Sequence, residues 1–354
     1  MTVILRQGTQ DQYSNTIVLG AGLRVDQTSD GLPQLSAGTD IYLTPSGGDD
    51  TAAIQAAMYA SNRVRLAPGT FTISNVIDIS EGVTLSGAGS GSGAQGGTPM
   101  TKIVVGAIGN PAIRFGDSTQ FAGLESLRLV GPGKGVGNQG AIKCARSTST
   151  IYPIARRLRF RDLHIEGFNQ DAMLVDKCAQ VEIENVTVKN TGKGITFSGG
   201  GSHRMSTVRL EGCDGGFVFD TTTGIVVDAC EAEDCADSFK VYMASNVVLN
   251  GCVSRAVRGT ALEINGANGV VVNGFRSDNS AGAFYDAPHL AVYSSAVNVQ
   301  VNGFTRVNNP GGTPTYEANV SSAGNTILVG AHNLDHAKIA SGGRFGELAF
   351  AALP

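Results

Sequence analysis

One short phrase recurs from about residue 162 to residue 331 and limits what this chain can fold into. Each copy alternates apolar and polar residues over four to six positions and then breaks at Gly or Asn, which is the pattern of a strand followed by a bend. The copies are DLHIEGF, NVTVKNT, TVRLEGC, IVVDAC, VVLNGC, VVVNGF, VQVNGF and TILVGA. When they are aligned on one reference residue per copy, the steps are 23, 22, 17, 22, 23, 29 and 27 residues. The reference residues are Gly167, Asn190, Gly212, Ala229, Gly251, Gly274, Gly303 and Gly330.

These steps leave too little room for a helical crossover between parallel strands, so each copy is predicted to form one coil of a parallel β-solenoid. Three earlier segments, VTLSGAG, KIVVGA and LESLRLVGPG, carry the same pattern and bring the solenoid to about eleven coils. A chain of 354 residues is long for one compact core, but a solenoid grows by adding coils. The predicted fold class is therefore all-β, a parallel β-helix.

A helical pattern precedes the first coils, at about residues 50–61 in the stretch SGGDDTAAIQAAMYAS. Asp49 or Asp50 can serve as its N-cap. Three apolar side chains would share one face of the helix: Ile54, Ala57 and Met58. A short helix with such a face is expected to cap the open apolar end of the first coil.

The order DDTAAIQAA, VRLAPGTFTI and VTLSGAG, within residues 46–90, resembles the entry region of the pectate-lyase-like right-handed β-helix superfamily. Phage tailspikes and polysaccharide depolymerases commonly carry that entry. The resemblance implies a right-handed β-helix and, for a tailspike-like chain, a homotrimer in a phage tail. It says little about chemistry, because the entry segment is structural and a fold does not imply a function.

The predicted β-helix covers residues 46–335 and is flanked by two segments that lack the repeat. Residues 1–45 form an N-terminal arm, expected to attach to other phage tail proteins, to contact trimer partners, or simply to be an ordered arm. Residues 336–354 form an apolar tail that ends in GGRFGELAFAALP. Because its large side chains would be costly in water, we expect the tail to cap the last coil or to pack around a three-fold axis.

Composition and charge argue against several classes of partner. The net charge of −4 disfavours nucleic acid and anionic membranes. No run of 18 apolar residues is present, so membrane insertion is not expected. The opening MTVILRQGTQ does not look like a secretory signal peptide. The predicted location is the virion tail, after assembly in the host cytoplasm.

The six cysteines do not follow the spacing of a zinc site. Cys213, Cys230 and Cys252 each follow a reference residue directly, so they are predicted to stack in successive coils. We interpret them as small buried residues, with metal or redox chemistry as the less favoured alternative. No metal and no cofactor is expected.

Equivalent positions of a solenoid lie one above another at the spacing of paired strands, roughly 4.8 Å. The position before each reference residue should point outward, and there Glu211 and Asp228 follow one another. A carboxylate pair at this spacing is near the separation of about 5–5.5 Å used in retaining glycoside hydrolysis. Glu211 and Asp228 are therefore the leading catalytic candidates, with three further acids in reserve: Asp214, Glu231 and Asp234. The alternative is that these carboxylates only keep the surface soluble.

The same column continues with Asn250, Asn273 and Asn302, predicted to form a structural amide ladder between coils. A lyase would instead need a basic residue, and its candidates are His164, Lys189, His203, Arg204 and Arg209. The Gly-rich segment around His203 suggests that this side chain is exposed.

Substrate contacts are expected on loops and aromatic side chains, since sugar rings pack on aromatic faces and the chain has no Trp. One expected contact region is a basic insertion, residues 133–157, which would suit an acidic glycan or be only a solvated loop. Another is the enlarged loop 282–295, which would contact carbohydrate or pack against a neighbouring subunit. The candidate binding residues are Tyr152, Arg156, Arg209, Tyr242, Tyr285 and Tyr293.

Three functional hypotheses follow from these patterns. The first is a tailspike-like protein that binds a bacterial surface polysaccharide and, if it is an enzyme, cleaves it as a depolymerase, more by hydrolysis than by elimination. The second is a non-catalytic virion fibre of the same fold. The third is a cellular polysaccharide lyase or epimerase, which the absence of a signal-like start and of a metal motif disfavours.

Overall fold

The structure is a computed structural model. It describes residues 40–91, 100–106, 108, 111–137, 139–145, 155–278, 289–293 and 296–307, together with eight short strands outside these ranges. Its main elements are one helix and two long sheets that wind together as a parallel β-helix. No helix in the described part is long and apolar enough to cross a membrane.

One sheet has eleven parallel strands, one from each coil, which matches the predicted number of coils. Its strands are Ile77–Ile79, Ile113–Phe115, Ile142–Ala145, Asp171–Asp176, Lys193–Ser198, Gly215–Asp220, Phe239–Tyr242, Leu262–Asn265, Leu290–Tyr293, Ala318–Val320 and Ile339–Ser341. We call the outward side of this sheet the third face.

The other sheet has 21 strands and bends along its length, so that each complete coil contributes two segments to it. It begins with two antiparallel strands, Thr2–Val3 and Ile17–Leu19, and its first parallel strands are Asp40–Leu43, Arg63–Leu66, Gly69–Ile73, Thr84–Ser86 and Thr101–Val105. Four long strands then run through both segments: Gly123–Val130, Arg156–Glu166, Ala179–Lys189 and Gly201–Glu211. Later coils are split into Thr223–Asp228 and Glu231–Glu233, Ser245–Asn250 and Val253–Arg255, Asn268–Asn273 and Arg276–Asp278, and Val297–Asn302 and Thr305–Val307. Asn325–Val329 and Arg344–Leu348 close the sheet.

Three columns of residues with left-handed φ mark the corners of this bent sheet. The first corner holds Arg157, Gln180, Ser202, Gly224, Asn246, Gly269 and Asn298. The second holds Asp162, Asn185, Thr207, Ala229, Gly251, Gly274 and Gly303, and the third holds Gly167, Asn190, Gly212, Asp234 and Ala256. We call the outward side between the first two corners the first face, and that between the second and third corners the second face.

The predicted 17-residue step is wrong, because it joins two different corners. Gly212 lies in the third corner, whereas Ala229 lies in the second corner of the next coil. The true equivalent of Gly212 is Asp234, 22 residues later, and that of Ala229 is Thr207, 22 residues earlier. The two corners are five residues apart within a coil and look alike in sequence, so the repeat phrase occurs at both.

The predicted capping helix is confirmed at Thr51–Ala60, with Ile54, Ala57 and Met58 buried. Asp49, rather than the N-cap residue Asp50, accepts the hydrogen bond of the Thr51 amide. The side chain of Gln55 exchanges two hydrogen bonds of 2.9 Å with the backbone of Asp78, in the end strand of the eleven-stranded sheet. The helix therefore satisfies an open sheet edge as well as covering apolar side chains.

Parallel strand pairing is also found outside residues 46–335, at both ends of the chain. Asp40–Leu43 already pairs in parallel with Arg63–Leu66, before the expected start at residue 46. In the arm, Ile17–Leu19 pairs antiparallel with Asp40–Leu43 and so covers the first edge of the large sheet, with Thr2–Val3 beyond it. Strands Val25–Gln27 and Pro33–Leu35 form a separate antiparallel pair. At the other end, Arg344–Leu348 in the predicted tail pairs in parallel with Asn325–Val329.

The interior is a stack of apolar columns in which phenylalanines of successive coils contact one another. The rings of Phe217 and Phe239 stack at 4.7 Å, and Phe275 lies edge-on to Phe239 at 5.4 Å and stacks on Phe304 at 5.4 Å. All six cysteines are free and buried, including Cys213, Cys230 and Cys252, for which the sequence predicted burial. The stacking of Cys213 differs from the prediction, because its thiol contacts that of Cys235. Cys213 and Cys235 each follow a third-corner residue, Gly212 and Asp234, in successive coils.

Candidate functional site

The second face carries two of the five predicted catalytic carboxylates, Glu211 and Glu231, and both are ion-paired. Glu211 lies 2.7 Å from Lys189, and Glu231 lies 2.9 Å from Arg255. Arg209, a predicted binding residue, forms a close ion pair with Glu233. Ion pairs that connect neighbouring coils therefore form a ladder along this face.

Glu211 and Asp228 are not neighbours, contrary to the prediction. Glu211 pairs in register with Glu233, whereas Asp228 pairs with Ser206 below it and Asn250 above it. Asp228 therefore lies on the first face, five residues along the coil from the column of Glu211. The carboxylate that stacks on Glu211 is Glu233, not the predicted Asp228.

The two remaining candidates lie at or beside the third corner, and both are exposed. Asp214 forms an ion pair of 2.6 Å with Lys134, which also donates to the carbonyl oxygen of Gly212 at 3.2 Å. Asp234 is a corner residue whose backbone amide donates to the carbonyl oxygen of Arg255. Lys134 comes from the predicted insertion 133–157, which the structure divides, because Ile142–Ala145 within it is a strand.

The predicted amide ladder is confirmed on the first face. Asn302 donates to Asn273, Asn273 donates to Asn250, and each Nδ2–Oδ1 distance is 2.8 Å. Asn250 in turn donates to Asp228 Oδ1 at 2.8 Å. The aligned amide dipoles therefore end on a carboxylate, which accepts a charge-assisted hydrogen bond.

Lower on the first face lies a surface pocket of about 510 Å³. It is lined by Arg157, Leu158, Arg159, Gln180, Glu182, Ser202 and Arg204. Arg157 donates to Gln180 at 3.2 Å and lies over the exposed ring of Phe121, 4.9 Å from its centroid. Arg156, the predicted binding residue, is next to this pocket in sequence but donates to Gln120 at 2.8 Å.

The third face brings two of the predicted tyrosines together. Tyr242 and Tyr293 are 51 residues apart in sequence, yet both pair in register with Asn265 and so occupy one column. Tyr242 is 36% exposed. The aromatic rings therefore lie on a rigid sheet, two coils apart, as the interpretation of these residues as sugar contacts requires.

Charged side chains accompany these tyrosines, and sequence reasoning missed them. Lys240 lies 2.9 Å from Asp237 and 3.8 Å from Glu263, whose side chain is only 14% exposed. The alternation of FKVY and LEIN indicates which side chains point outward, but no local signal in the sequence pairs these two strands. We call Asp237, Lys240, Tyr242, Glu263 and Tyr293 the tyrosine cluster.

The electrostatics of the tyrosine cluster keep Lys240 charged. Burial alone would lower the pKa of Lys240, but the hydrogen bond to Asp237 and the charge of Glu263 raise it overall. Burial and the charge of Glu263 raise the pKa of the Tyr293 hydroxyl, which therefore stays protonated. The cluster thus offers an ammonium donor, carboxylate acceptors and phenolic hydroxyls beside aromatic surface.

The histidines considered for a lyase are poorly placed for one. His203 is buried, contrary to the prediction, and burial lowers its pKa to about 4. His164 is also buried, 3.2 Å from Glu166, and burial together with the charge of Arg128 lowers its pKa. Tyr152 and Tyr285 lie outside the described residues. Within the described part, no group of three or more His, Cys, Asp or Glu side chains is placed to hold a metal ion.

Comparisons with known proteins agree with this architecture. Residues 150–305 match the family model described as right handed beta helix region. A search among curated proteins found no significant match. The A-module of mannuronan C-5 epimerase AlgE4 from Azotobacter vinelandii is similar, with a TM-score of 0.63 and 15% identity, covering 85% of this chain and 94% of that one.

Two further solved structures share the fold. The enzymatically active domain of bacteriophage CBA120 tailspike protein 2 has a TM-score of 0.59 and 13% identity, over 91% of this chain and 48% of that one. The endo-xylogalacturonan hydrolase of Aspergillus tubingensis has a TM-score of 0.59 and 12% identity, over 86% and 95%. The right-handed β-helix that the resemblance implied is thus confirmed, and this chain is a right-handed parallel β-helix protein.

Proposed function

We propose that this protein is a tailspike-like β-helix that binds a bacterial surface polysaccharide through the tyrosine cluster. The observation that carries the proposal is the shared column of Tyr242 and Tyr293 beside Lys240 and Glu263. Aromatic faces supply apolar contact for a sugar ring, while the charged groups hydrogen-bond to its hydroxyls. Similar folds in a tailspike domain and in a polysaccharide hydrolase support the choice of ligand class.

The test is direct binding to purified capsular and lipopolysaccharide O-chain polysaccharides, measured by calorimetry. We expect Tyr242→Ala and Tyr293→Ala each to weaken binding by roughly tenfold, because each removes stacking area. Tyr59→Ala is the matched control, since Tyr59 is 72% exposed on the capping helix. Equal binding by the wild type and both cluster variants would contradict the assignment of the site.

Hydrolysis of the bound polysaccharide is a second candidate function, favoured by the register of Glu211 with Glu233. Paired strands place equivalent residues roughly 4.8 Å apart, near the spacing of about 5–5.5 Å in retaining glycosidases. Asp214 and Asp234 flank this pair at the third corner. Against hydrolysis stands the ion pairing of each carboxylate, with Lys189 and Arg209.

Release of reducing ends from the polysaccharide measures this activity. If the pair is catalytic, Glu211→Gln combined with Glu233→Gln abolishes release, while the control Glu184→Gln, which changes an exposed carboxylate on the first face, leaves it intact. If the wild-type protein releases no reducing ends, hydrolysis is excluded and the binding function stands alone. Absorbance from an unsaturated uronate would identify a lyase.

The proposal also places the chain in a phage tail, as a homotrimer whose N-terminal arm contacts other tail proteins. Cyclic association of identical subunits is common among oligomers, and long solenoids offer extended side faces for it. Light scattering should give three times the mass of one chain. A monomer at micromolar concentration would contradict the trimer without touching the polysaccharide site.

A further inference from the structure

Two arginines of the first-face pocket, Arg159 and Arg204, have looser ion pairs than seven other arginines of the described residues. Arg159 lies 3.8 Å from Glu182, and Arg204 lies 3.6 Å from Asp228. Both separations exceed hydrogen-bonding distance. The other arginine ion pairs in the described ranges close to 3.3 Å or less. Both loosely paired guanidinium groups line the same pocket.

The pocket also holds more positive than negative charge. Arg159, Glu182 and Arg204 pair in register in three successive coils, so one carboxylate lies between two guanidinium groups. Arg157 adds a third cation, held in place by Gln180 and by the ring of Phe121. The pocket therefore presents three cations and one carboxylate, with guanidinium N–H groups of Arg159 and Arg204 available to a ligand.

We propose that this pocket binds the carboxylate of an acidic sugar unit. A guanidinium group donates paired N–H bonds that match the geometry of a carboxylate, and these charge-assisted bonds are stronger than neutral ones. Glu182 accepts hydrogen bonds from the sugar hydroxyls, and Ser202 can donate or accept. A neutral sugar would bring no negative charge to the loosely paired guanidinium groups of Arg159 and Arg204.

This inference rests on the proposed function, because it defines the charge of the polysaccharide. The position of the pocket is compatible with a chain that also reaches the tyrosine cluster. Tyr242 precedes the first-corner residue Asn246 by four residues, and Ser202 and Gln180 occupy the same corner two and three coils below. At the spacing of paired strands, Tyr242 is roughly 10–15 Å from Ser202 and Gln180 along the solenoid axis. An oligosaccharide of a few units can span that separation.

The experiment compares oligoglucuronate with its methyl ester, which has the same sugar ring but no carboxylate charge. Binding to the full chain is measured by calorimetry at low and high salt. We expect the free acid to bind better than the ester and its affinity to fall with salt, because an exposed charge pair is screened. Arg159→Gln with Arg204→Gln should weaken binding of the acid by roughly tenfold or more.

The matched control is Arg65→Gln with Arg114→Gln, which removes the same net charge from two exposed arginines outside the pocket. It should bind the acid like the wild type. Equal binding of acid and ester, or an unchanged affinity in the pocket variant, would overturn the proposal. Binding of inorganic phosphate without oligoglucuronate would overturn the assignment to a sugar carboxylate. Binding of a neutral polysaccharide alone would overturn it while the proposed function stands, and if no polysaccharide binds, both proposals fail.

Discussion

The first and second faces are built from the same strands, yet their charges are organised differently. The strand Ala179–Lys189 contributes Glu182 to the first-face pocket and Lys189 to the second-face ladder. Lys189 closes on Glu211 at 2.7 Å, whereas Glu182 remains 3.8 Å from Arg159. Opposite charges lie in neighbouring coils on both faces, so their presence alone does not distinguish a closed ladder from an open site.

The difference separates ion pairs that stabilise the fold from charged groups that can bind a ligand. On the second face, opposite charges neutralise one another and connect successive coils, which contributes to stability. In the pocket, the guanidinium N–H groups of Arg159 and Arg204 remain available to a ligand and contribute little to the stability of the fold. This is the arrangement expected of a binding site. Three predictions test this contrast, beginning with the largest expected effect.

The first and second faces each hold one buried histidine, His203 and His164. The largest expected effect on the free energy of unfolding comes from His203, which lies between the pocket residues Ser202 and Arg204 in sequence. Its pKa is lowered from 6.5 to about 4 by burial, so the unfolded chain takes up a proton that the folded chain does not. The free energy of unfolding should therefore fall as the pH drops from about 6.5 to about 4, by roughly 3 kcal/mol from this residue, and then level off. Denaturant titrations across this pH range measure the change.

His203→Asn is the control, because an amide oxygen can still accept the hydrogen bond that Val181 N–H donates to His203 Nδ1. This variant should lose part of the acid sensitivity and keep the remainder, since burial also lowers the pKa of His289 to about 4. An unchanged pH profile would show that His203 does not carry the effect.

The second prediction compares two arginines: Arg128, in the ion-pair ladder of the second face, and Arg204, in the first-face pocket. Arg128 lies 2.6 Å from Glu166, and both side chains are mostly buried. Arg128→Gln should lower the free energy of unfolding by about 1–2 kcal/mol, because Glu166 loses a charge-assisted hydrogen bond. Arg204→Gln should cost less than about 0.5 kcal/mol, since its ion pair is loose and exposed. Similar costs in chemical denaturation would remove the contrast between the faces.

The smallest effect concerns the amide ladder above the pocket. Asn273→Ala removes two side-chain hydrogen bonds, to Asn250 and from Asn302, and should lower the free energy of unfolding by about 1 kcal/mol. Gln300→Ala, which removes one exposed bond, should change it by less than about 0.5 kcal/mol. The thermal midpoints of the two variants give the ranking, and a reversed order would mean that the ladder adds little stability.

Several features could be predicted from the sequence because they depend on local pattern. The alternation of the repeat predicted parallel coils, and an apolar stripe predicted the helix Thr51–Ala60. The ladder of Asn250, Asn273 and Asn302 was also predicted correctly, because all three residues precede the same corner of successive coils. These predictions needed only the periodicity of side chains along one segment.

The stacked carboxylate pair could not be predicted, because a coil has two similar corners five residues apart. Only the pairing of strands from different coils shows that Glu211 lies beside Glu233 rather than Asp228. The tyrosine cluster is non-local for the same reason, since only the register of the eleven-stranded sheet places Tyr242 and Tyr293 in one column.

The sequence by itself therefore determined the kind of architecture, because hydrophobic alternation with frequent bends allows few alternatives. The tertiary structure decided which side chains share a column and how closely opposite charges approach. Strand register depends on hydrogen bonds and packing between coils, which no single coil encodes. The loose pairs of Arg159 and Arg204 are visible only at that level, and they distinguish the pocket from the ladder beside it.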